Sequence, residues 1–206
     1  MSDPSPPDPL RRVGSVCVYC GSSDAADPEF LEAAAQFGRT LAREDVRLVY
    51  GGGGVGLMGA CARAARAAGG RILGVMPEFL RQREALYDDV ETIVVGSMHE
   101  RKSRMFEEAD AFAVFPGGIG TLEEVIELMS WRRLGLHEKP IVFFNAKGFW
   151  DPLFELLRHT VEWNLTPEAF LSTWGAVDDV EAILPKLREM AEEAGPSMPL
   201  LMPQVT

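Results

Sequence analysis

The sequence is poor in three features that would narrow its function at once: cysteine, basic charge and long apolar runs. Three cysteines among 206 residues cannot form a disulfide framework, which fits a reducing compartment. The 20 Lys and Arg are outnumbered by 31 Asp and Glu, so binding to a nucleic-acid backbone is not expected. No apolar run approaches the roughly 20 residues of a membrane span, and the polar N-terminus is unlike a signal peptide. We therefore expect a cytoplasmic protein with neither a membrane nor nucleic acid as partner.

Several short motifs are missing as well. There is no G-K-[ST], which excludes a Walker A loop, and Ser103 stands where an H-E-x-x-H motif beginning at His99 would need its second histidine. The pair Cys17 and Cys20 has C-x-x-C spacing, but Cys17 lies inside a predicted strand, where residues three apart face opposite sides. Buried cysteines are the better interpretation, and the three scattered histidines offer no metal site.

Short β-branched runs alternate with longer helical segments along the chain. This pattern predicts a Rossmann-like, doubly wound parallel sheet of about seven strands with helices on both faces, in three layers. Strands are predicted at 13–19, 46–50, 71–76, 91–95, 111–115, 140–144 and 173–177. Helices are predicted at 28–44, 57–68, 98–108, 120–134, 150–163 and 179–194. One domain is expected at 13–195, after a disordered proline-rich lead at 1–12 and before a tail at 196–206.

Two glycine-rich turns each follow a predicted strand and open a helix: YGGGGVGLMGA at 50–60 and FPGGIGTLEE at 115–124. Glycines let a ligand approach backbone N–H groups, and a helix N-terminus adds unpaired donors. We therefore interpret both turns as anion sites. The first turn matches G-x-G-x-x-G, but it follows the second strand instead of the first, which disfavours a dinucleotide. A mononucleotide with its phosphate at the second turn fits better.

Two carboxylates, Glu123 and Glu124, follow the second turn. Glu124 lies one helical turn beyond Thr121, a rise of roughly 5.4 Å, which is about the reach from a 5'-phosphate to the anomeric carbon. An ionised carboxylate there can stabilise an oxocarbenium-like centre or orient a water. The helix dipole favours the ionised form. Glu123 is interpreted as an ordinary acid near the dipole; for Glu124 both interpretations stay open.

The segment SMHERKSRMFEEAD at 97–110 brings four basic or ionisable groups to the same edge of the sheet. Arg101 cannot act as a base, so we expect it to clamp phosphate or ribose hydroxyls, or to balance the charge of Glu124. A solvated basic face is the alternative, and it suits Lys102 and Arg104 better than Arg101.

The segments YGGGGVGLMG, SMHERK and PGGIGTLEE together resemble the LONELY GUY (LOG) family, phosphoribohydrolases of cytokinin riboside 5'-monophosphates whose members were often labelled lysine decarboxylases. The resemblance runs from about Val13 to Met190. It implies a Rossmann-like homodimer, without metal or redox cofactor, that releases the free base and ribose 5-phosphate from a nucleoside 5'-monophosphate. Arg133 stands where family members commonly carry Gln, so AMP and a prenylated cytokinin nucleotide are both candidate substrates.

Site residues also follow from the resemblance. It implies that Arg101 and Glu124 are the catalytic pair. Contacts to substrate and phosphate would fall on Gly21, Ser22, Gly53, Gly54, Met98, Lys102, Gly117, Gly118, Gly120 and Thr121. The lysine decarboxylase label is rejected, because none of the four lysines lies in a recognisable pyridoxal phosphate setting.

Two other functions stay open. A nucleotide or cofactor carrier on the same fold would need the glycine turns but has no use for a carboxylate at the anomeric carbon. An NAD-dependent oxidoreductase rests only on the G-x-G-x-x-G match.

The dimer has some support from the helix at 120–134. Leu122, Val125, Ile126 and Met129 are expected on one apolar face, and Leu128 and Trp131 on a second. Two apolar faces indicate burial against more than the sheet, either in a dimer or in a large core.

Overall fold

The computed structural model describes residues 13–81 and 89–194. Seven strands form one parallel sheet in the order β4-β3-β2-β1-β5-β6-β7. Their bounds are β1 Ser15–Tyr19, β2 Arg47–Tyr50, β3 Ile72–Pro77, β4 Glu91–Val95, β5 Ala111–Val114, β6 Ile141–Phe144 and β7 Gly175–Val177. All seven predicted strands are confirmed, including the weakest, at 173–177. The lead at 1–12 and the tail at 196–206 lie outside the described residues.

Helices follow the strands as predicted. They are α1 Pro28–Arg43, α2 Gly56–Ala67, α3 Glu78–Arg81, α4 Met98–Glu107, α5 Ile119–Arg133, α6 Asp151–Glu162 and α7 Ile183–Glu193. The helix predicted from residue 179 begins instead with a 3-10 turn, Val180–Ala182, before α7. The short α3 and the 3-10 turns Ala146–Gly148 and Glu168–Ser172 are not predicted, because so few residues carry no helical periodicity.

Apolar clusters cover both faces of the sheet and complete three layers. Val16 and Val18 of β1 pack into the cluster that contains side chains of α1, α2 and α7. Cys17 and Tyr19 point the other way, into the cluster with α4, α5 and α6. Because both faces are covered, β1 is buried at every position.

The cysteines are buried and free, as predicted. Cys17 and Cys20 belong to opposite clusters, so the C-x-x-C spacing does not bring their sulfur atoms to one site. Burial raises the pKa of both thiols well above its ordinary value, and it raises the pKa of Cys61 to about 12. The thiols are therefore held in their unreactive form.

The order of the strands reverses at β1. β1 pairs with β2 on one side, where Cys17 lies opposite Val49, and with β5 on the other, where Tyr19 lies opposite Val114. Ligands of open parallel sheets bind outside the carboxyl ends of the strands at such a switch point. A ligand site is therefore expected at the loops after β1 and β5.

Candidate active site

The loops after β1 and β5 are joined directly. The Gly21 N–H donates to the Pro116 carbonyl at 3.0 Å. A Cβ on Gly21 would lie 3.3 Å from the Cα of Gly117, so the close approach of the two loops needs a glycine there. Gly21 thus lies at the switch point, and its contact with substrate stays a prediction.

Helix α5 begins in this place without a side-chain cap. Its N-cap is Gly118, which has no side chain to cap the helix, and the first turn carries no acidic residue. A Cβ on Gly118 or Gly120 would meet nothing within 4 Å, so both glycines face open space. On Gly117 a Cβ would lie 2.2 Å from the hydroxyl oxygen of the buried Thr121. The uncapped N–H groups and the open space above them make a suitable place for an anion.

The start of α2, in contrast, is already occupied. The Gly56 N–H donates to Asp24 Oδ1 at 2.7 Å, and the Leu57 N–H donates to the Gly21 carbonyl at 3.0 Å. Arg63 Nη1 donates to the carbonyl of Gly54 at 2.6 Å. The prediction that both glycine turns are anion sites is therefore wrong for the first helix start, because a carboxylate of the chain itself takes the place of the ligand.

The first turn instead supports the neighbouring loop. Gly56 has a φ of +59°, and its Cα lies so close to the backbone of Ser22 that an added Cβ would be 2.5 Å away. Ser22 is exposed beside it, Gly53 is buried and Gly54 is half-buried. These three residues lie along the loops after β1 and β2, and their contacts to substrate stay a prediction.

Helix α4 starts where its sequence caps it. The Ser97 hydroxyl accepts from the Glu100 N–H at 3.1 Å, and Glu100 Oε2 accepts from the Gly96 N–H at 2.7 Å. Such a reciprocal cap fixes the first turn of a helix. Arg101, one turn further on, is thereby placed on a well-defined part of α4.

Arg101 is buried and points to the end of β2. It is 8% exposed, its Nη2 donates to the Gly51 carbonyl at 3.2 Å, and its Nη1 lies 4.0 Å from both the Met98 sulfur and Glu124 Oε1. A Cβ on Gly51 would lie 2.0 Å from Nη2. Its Nε has no partner within the described part of the chain. A buried guanidinium with a spare donor is well suited to a ligand oxygen.

Glu124 faces this guanidinium from α5. Burial raises the pKa of its carboxyl to about 7; Arg101 and Lys102 act in the opposite direction, and Glu123 and Glu127 add to the rise. Loss of hydration thus opposes the ionised form, which the helix dipole is expected to favour. A carboxyl that titrates near neutral pH is able to take up and release protons there.

The remaining basic residues of α4 divide into two kinds. Arg104 is solvated and pairs with Glu107 and Glu108, as expected. Lys102 is not on a solvated face: it is 9% exposed, and its Nζ contacts Glu123 Oε1 and Glu127 Oε2. Its contact with phosphate stays a prediction; in this structure its donors are turned toward α5.

A cavity of about 220 Å³ adjoins the same loops. Its lining is largely apolar and includes Phe30, Leu57 and Phe149 beside Gly117 and Gly118. Phe30 and Phe149 meet edge to face, with ring centroids 5.7 Å apart. The uncapped start of α5 therefore borders open space large enough for part of a small molecule.

Sequence reasoning missed three residues of this region: Gly51, Asp24 and Glu127. Each acts through a contact with a residue far away in the chain, such as the bond from Arg101 to Gly51. None of these contacts leaves a signal in the local sequence.

The described residues lack a metal-binding cluster and a membrane-spanning helix. Residues 13–81 and 89–194 contain no group of three His, Cys, Asp or Glu side chains that could hold a metal ion. Over the same ranges, no helix combines the length and apolar character that crossing a membrane requires.

The fold is that of a Rossmann-like protein, and its candidate site combines the uncapped start of α5 at the switch point with a carboxyl on the same helix that titrates near neutrality beside a buried arginine. Residues 58–187 match the protein family described as "Possible lysine decarboxylase". LOGL9 of Oryza sativa subsp. japonica, named a probable cytokinin riboside 5'-monophosphate phosphoribohydrolase, is 41% identical over 179 residues, which are 86% of this chain and 79% of the relative. LOG2 of Arabidopsis thaliana is 38% identical over 187 residues, 90% of this chain and 85% of the relative. The chain belongs to this LOG family, as its motifs predict.

Solved structures share the fold at lower identity. The molybdenum cofactor carrier protein of Chlamydomonas reinhardtii matches with a TM-score of 0.66 at 20% identity, over 85% of this chain and 96% of that one. The molybdenum cofactor binding protein of Rippkaea orientalis matches with a TM-score of 0.64 at 23% identity, over 85% and 96%. At these identities the matches establish the architecture alone.

Proposed function

We propose that this protein hydrolyses the N-glycosidic bond of a nucleoside 5'-monophosphate and releases the free base and ribose 5-phosphate. The observation that carries the proposal is the buried Arg101–Glu124 pair, 4.0 Å apart, about one and a half helical turns from the uncapped start of α5. The names of the relatives support the same reaction, and an adenine-type base is therefore the first to test.

The phosphate would bind at the start of α5, with N–H groups of Gly118, Gly120 and Thr121 as donors and Gly117 allowing the approach. Gly21, Ser22, Gly53 and Gly54 would line the adjoining loops, and Met98 would contact the nucleotide beside Arg101. Arg101 would present its guanidinium group to a ribose or phosphate oxygen.

Glu124 would act at the anomeric carbon. The bond from C1' to the base nitrogen breaks, and its electron pair leaves with the base. The ionised carboxylate stabilises the positive charge that develops on the sugar and orients the water whose oxygen joins C1'. One proton of that water finally resides on the base, so the reaction needs no oxidant, reductant or metal in its balance.

The lysine decarboxylase description of the family is not supported by the lysines of this chain. Lys139 donates to the Phe106 carbonyl, Lys147 pairs with Asp27 and Glu29, and Lys186 pairs with Glu189. Lys102 is held by two glutamates. A Schiff base would require breaking one of these arrangements.

We further propose a homodimer and a cytoplasmic location. Ile119 is 85% and Ile126 41% exposed on α5, which supports a contact between two copies of that helix. The predicted assignment of Ile126 to the buried face is wrong: Val125, Leu128 and Met129 take the core side, and Ile126 projects outward. Three buried free cysteines support a reducing compartment.

Incubation of the purified protein with AMP, a prenylated analogue and other monophosphates, in the presence of a chelator, tests the reaction by chromatography of the free base. Release of base and ribose 5-phosphate in equal amounts is expected. Tight nucleotide binding without release from any of them would favour the carrier, and enhanced nicotinamide fluorescence with NADH would favour the oxidoreductase.

A further inference from the structure

Lys102 follows Arg101 in α4 and is, like it, a buried cation. Its contacts connect α4 to α5. Its Nζ donates to Glu123 Oε1 and lies 2.9 Å from Glu127 Oε2. Glu123 and Glu127 are four residues apart, so they lie on one side of α5. One ammonium group therefore fastens α4 to a full turn of α5.

The residues of this bridge are neighbours of the candidate catalytic pair on both helices. Lys102 follows Arg101 in the chain, and Glu124 lies between the two bridged glutamates. The charged and titratable groups that act on Glu124 or respond to it are Arg101 and Lys102 of α4, Glu123 and Glu127 of α5, and Cys17, Tyr19 and the adjoining Cys20 at β1. Of these, Lys102 is the one that contacts both neighbouring carboxylates.

We propose that Lys102 is a positioning residue: it holds Arg101 opposite Glu124 by bridging Glu123 and Glu127, and it offsets the negative charge of those two glutamates beside the reacting carboxyl. The inference rests on the proposed function for its catalytic consequence. It also gives Lys102 a role other than contact with the phosphate of the substrate.

The energetic argument follows from burial. Hydration lost on burial lowers the pKa of Lys102, but hydrogen bonds to Glu123 and Glu127 outweigh this effect, so its pKa lies above the ordinary value and the ammonium stays charged. Without that charge, both glutamates would repel the ionised form of Glu124, and the pKa of Glu124 would rise above about 7.

The test is the pH profile of kcat/KM for base release by the wild type and three variants. We expect Lys102→Met to move the acidic limb upward by roughly 0.5 to 1 pH unit. Lys102→Arg should restore the wild-type limb, because it keeps the charge. Glu127→Gln should move the limb downward, and it serves as the independent variant if Lys102→Met does not fold.

Two results would overturn the inference. An equal loss of kcat at every pH, with the limb unmoved, would make Lys102 merely structural. A tenfold or larger rise in KM with an unmoved limb would make it a ligand of the phosphate.

A direct titration separates this inference from the proposed function. The side-chain carboxyl of Glu124 is followed by carbon-13 NMR in glutamate-labelled protein, with Glu124→Gln for assignment. The same upward shift in Lys102→Met and downward shift in Glu127→Gln are expected without any substrate. If the wild type releases no base, the proposed function fails, whereas an unchanged Glu124 titration in Lys102→Met refutes the electrostatic role of Lys102.

Discussion

At the scale of single residues, Glu124 shows what burial does to an ionisable group at a site. Its carboxyl is 12% exposed and has an arginine 4.0 Å away, yet burial still raises its pKa to about 7. The ionised form is thus less favourable in the folded protein than in the unfolded chain. Such a group lowers the stability of the folded protein near neutral pH, and the same raised pKa lets it take part in proton transfer there.

Glu124→Gln should therefore change stability in a pH-dependent way. The folded pKa is above the unfolded value of 4.5, so the stability of the wild type relative to the variant is highest below pH 4.5. It falls as the pH rises to about 7, by up to about 3 kcal/mol. Urea unfolding of both proteins at several pH values measures the difference; a constant difference from pH 4.5 to 8 would contradict the assignment.

The pKa of His137 shifts in the opposite direction, and so does its effect on the pH dependence of stability. Its ring is buried between α5 and the sheet, its Nε2 lies 3.0 Å from the Leu128 carbonyl, and burial lowers its pKa to about 4. The folded value is below the unfolded value of 6.5, so stability is complete above pH 6.5 and is lost as the pH falls toward 4.

We expect wild type to lose about 3 kcal/mol more than His137→Gln over this range. Thermal unfolding of the two proteins between pH 7 and pH 4 measures it, with the exposed His159→Gln as matched control. Parallel pH curves for wild type and His137→Gln would show that the ring titrates normally.

At the scale of elements, the end of β2 positions the arginine of α4 through Gly51, the residue that follows the strand. A Cβ at residue 51 would lie 2.0 Å from Arg101 Nη2 and 3.3 Å from the Met58 sulfur. Gly51→Ala should displace the guanidinium and reduce base release by about 10²-fold or more. Gly14→Ala is the control, because its Cβ would meet only Asp110 Oδ2, at 3.5 Å. Rates and melting temperatures are measured for both, and wild-type turnover in Gly51→Ala would refute this support of Arg101.

The elements themselves were largely predictable, for a physical reason. Parallel strands covered on both faces are apolar throughout, and glycine turns, Asp27 and Ser97 mark where helices start. Contacts between loops were not predictable, because no spacing shows that Asp24 caps α2 or that Lys102 is buried. The predicted position of Ile126 is wrong for a related reason. Apolar residues lie around most of the circumference of α5, so periodicity does not identify its core side.

At the scale of the whole molecule, the exposed apolar side of α5 leads to a prediction about assembly. Ile126→Glu should weaken the proposed homodimer about tenfold or more, since each 1.4 kcal/mol lost at an interface is a factor of ten. Leu165→Glu is the control: Leu165 is 74% exposed and lies beyond α6. Sedimentation equilibrium measures both. A monomeric wild type, or an Ile126→Glu variant as dimeric as the control, would contradict the interface.

The central claim is that Glu124 acts on the nucleotide and does not merely help to bind it. The most direct test is turnover and affinity of Glu124→Gln with AMP, or with the best monophosphate found, measured by base release and by calorimetry. The account predicts an affinity within a few fold of wild type and a base release reduced by about 10² to 10⁴-fold. Wild-type release by Glu124→Gln would contradict it.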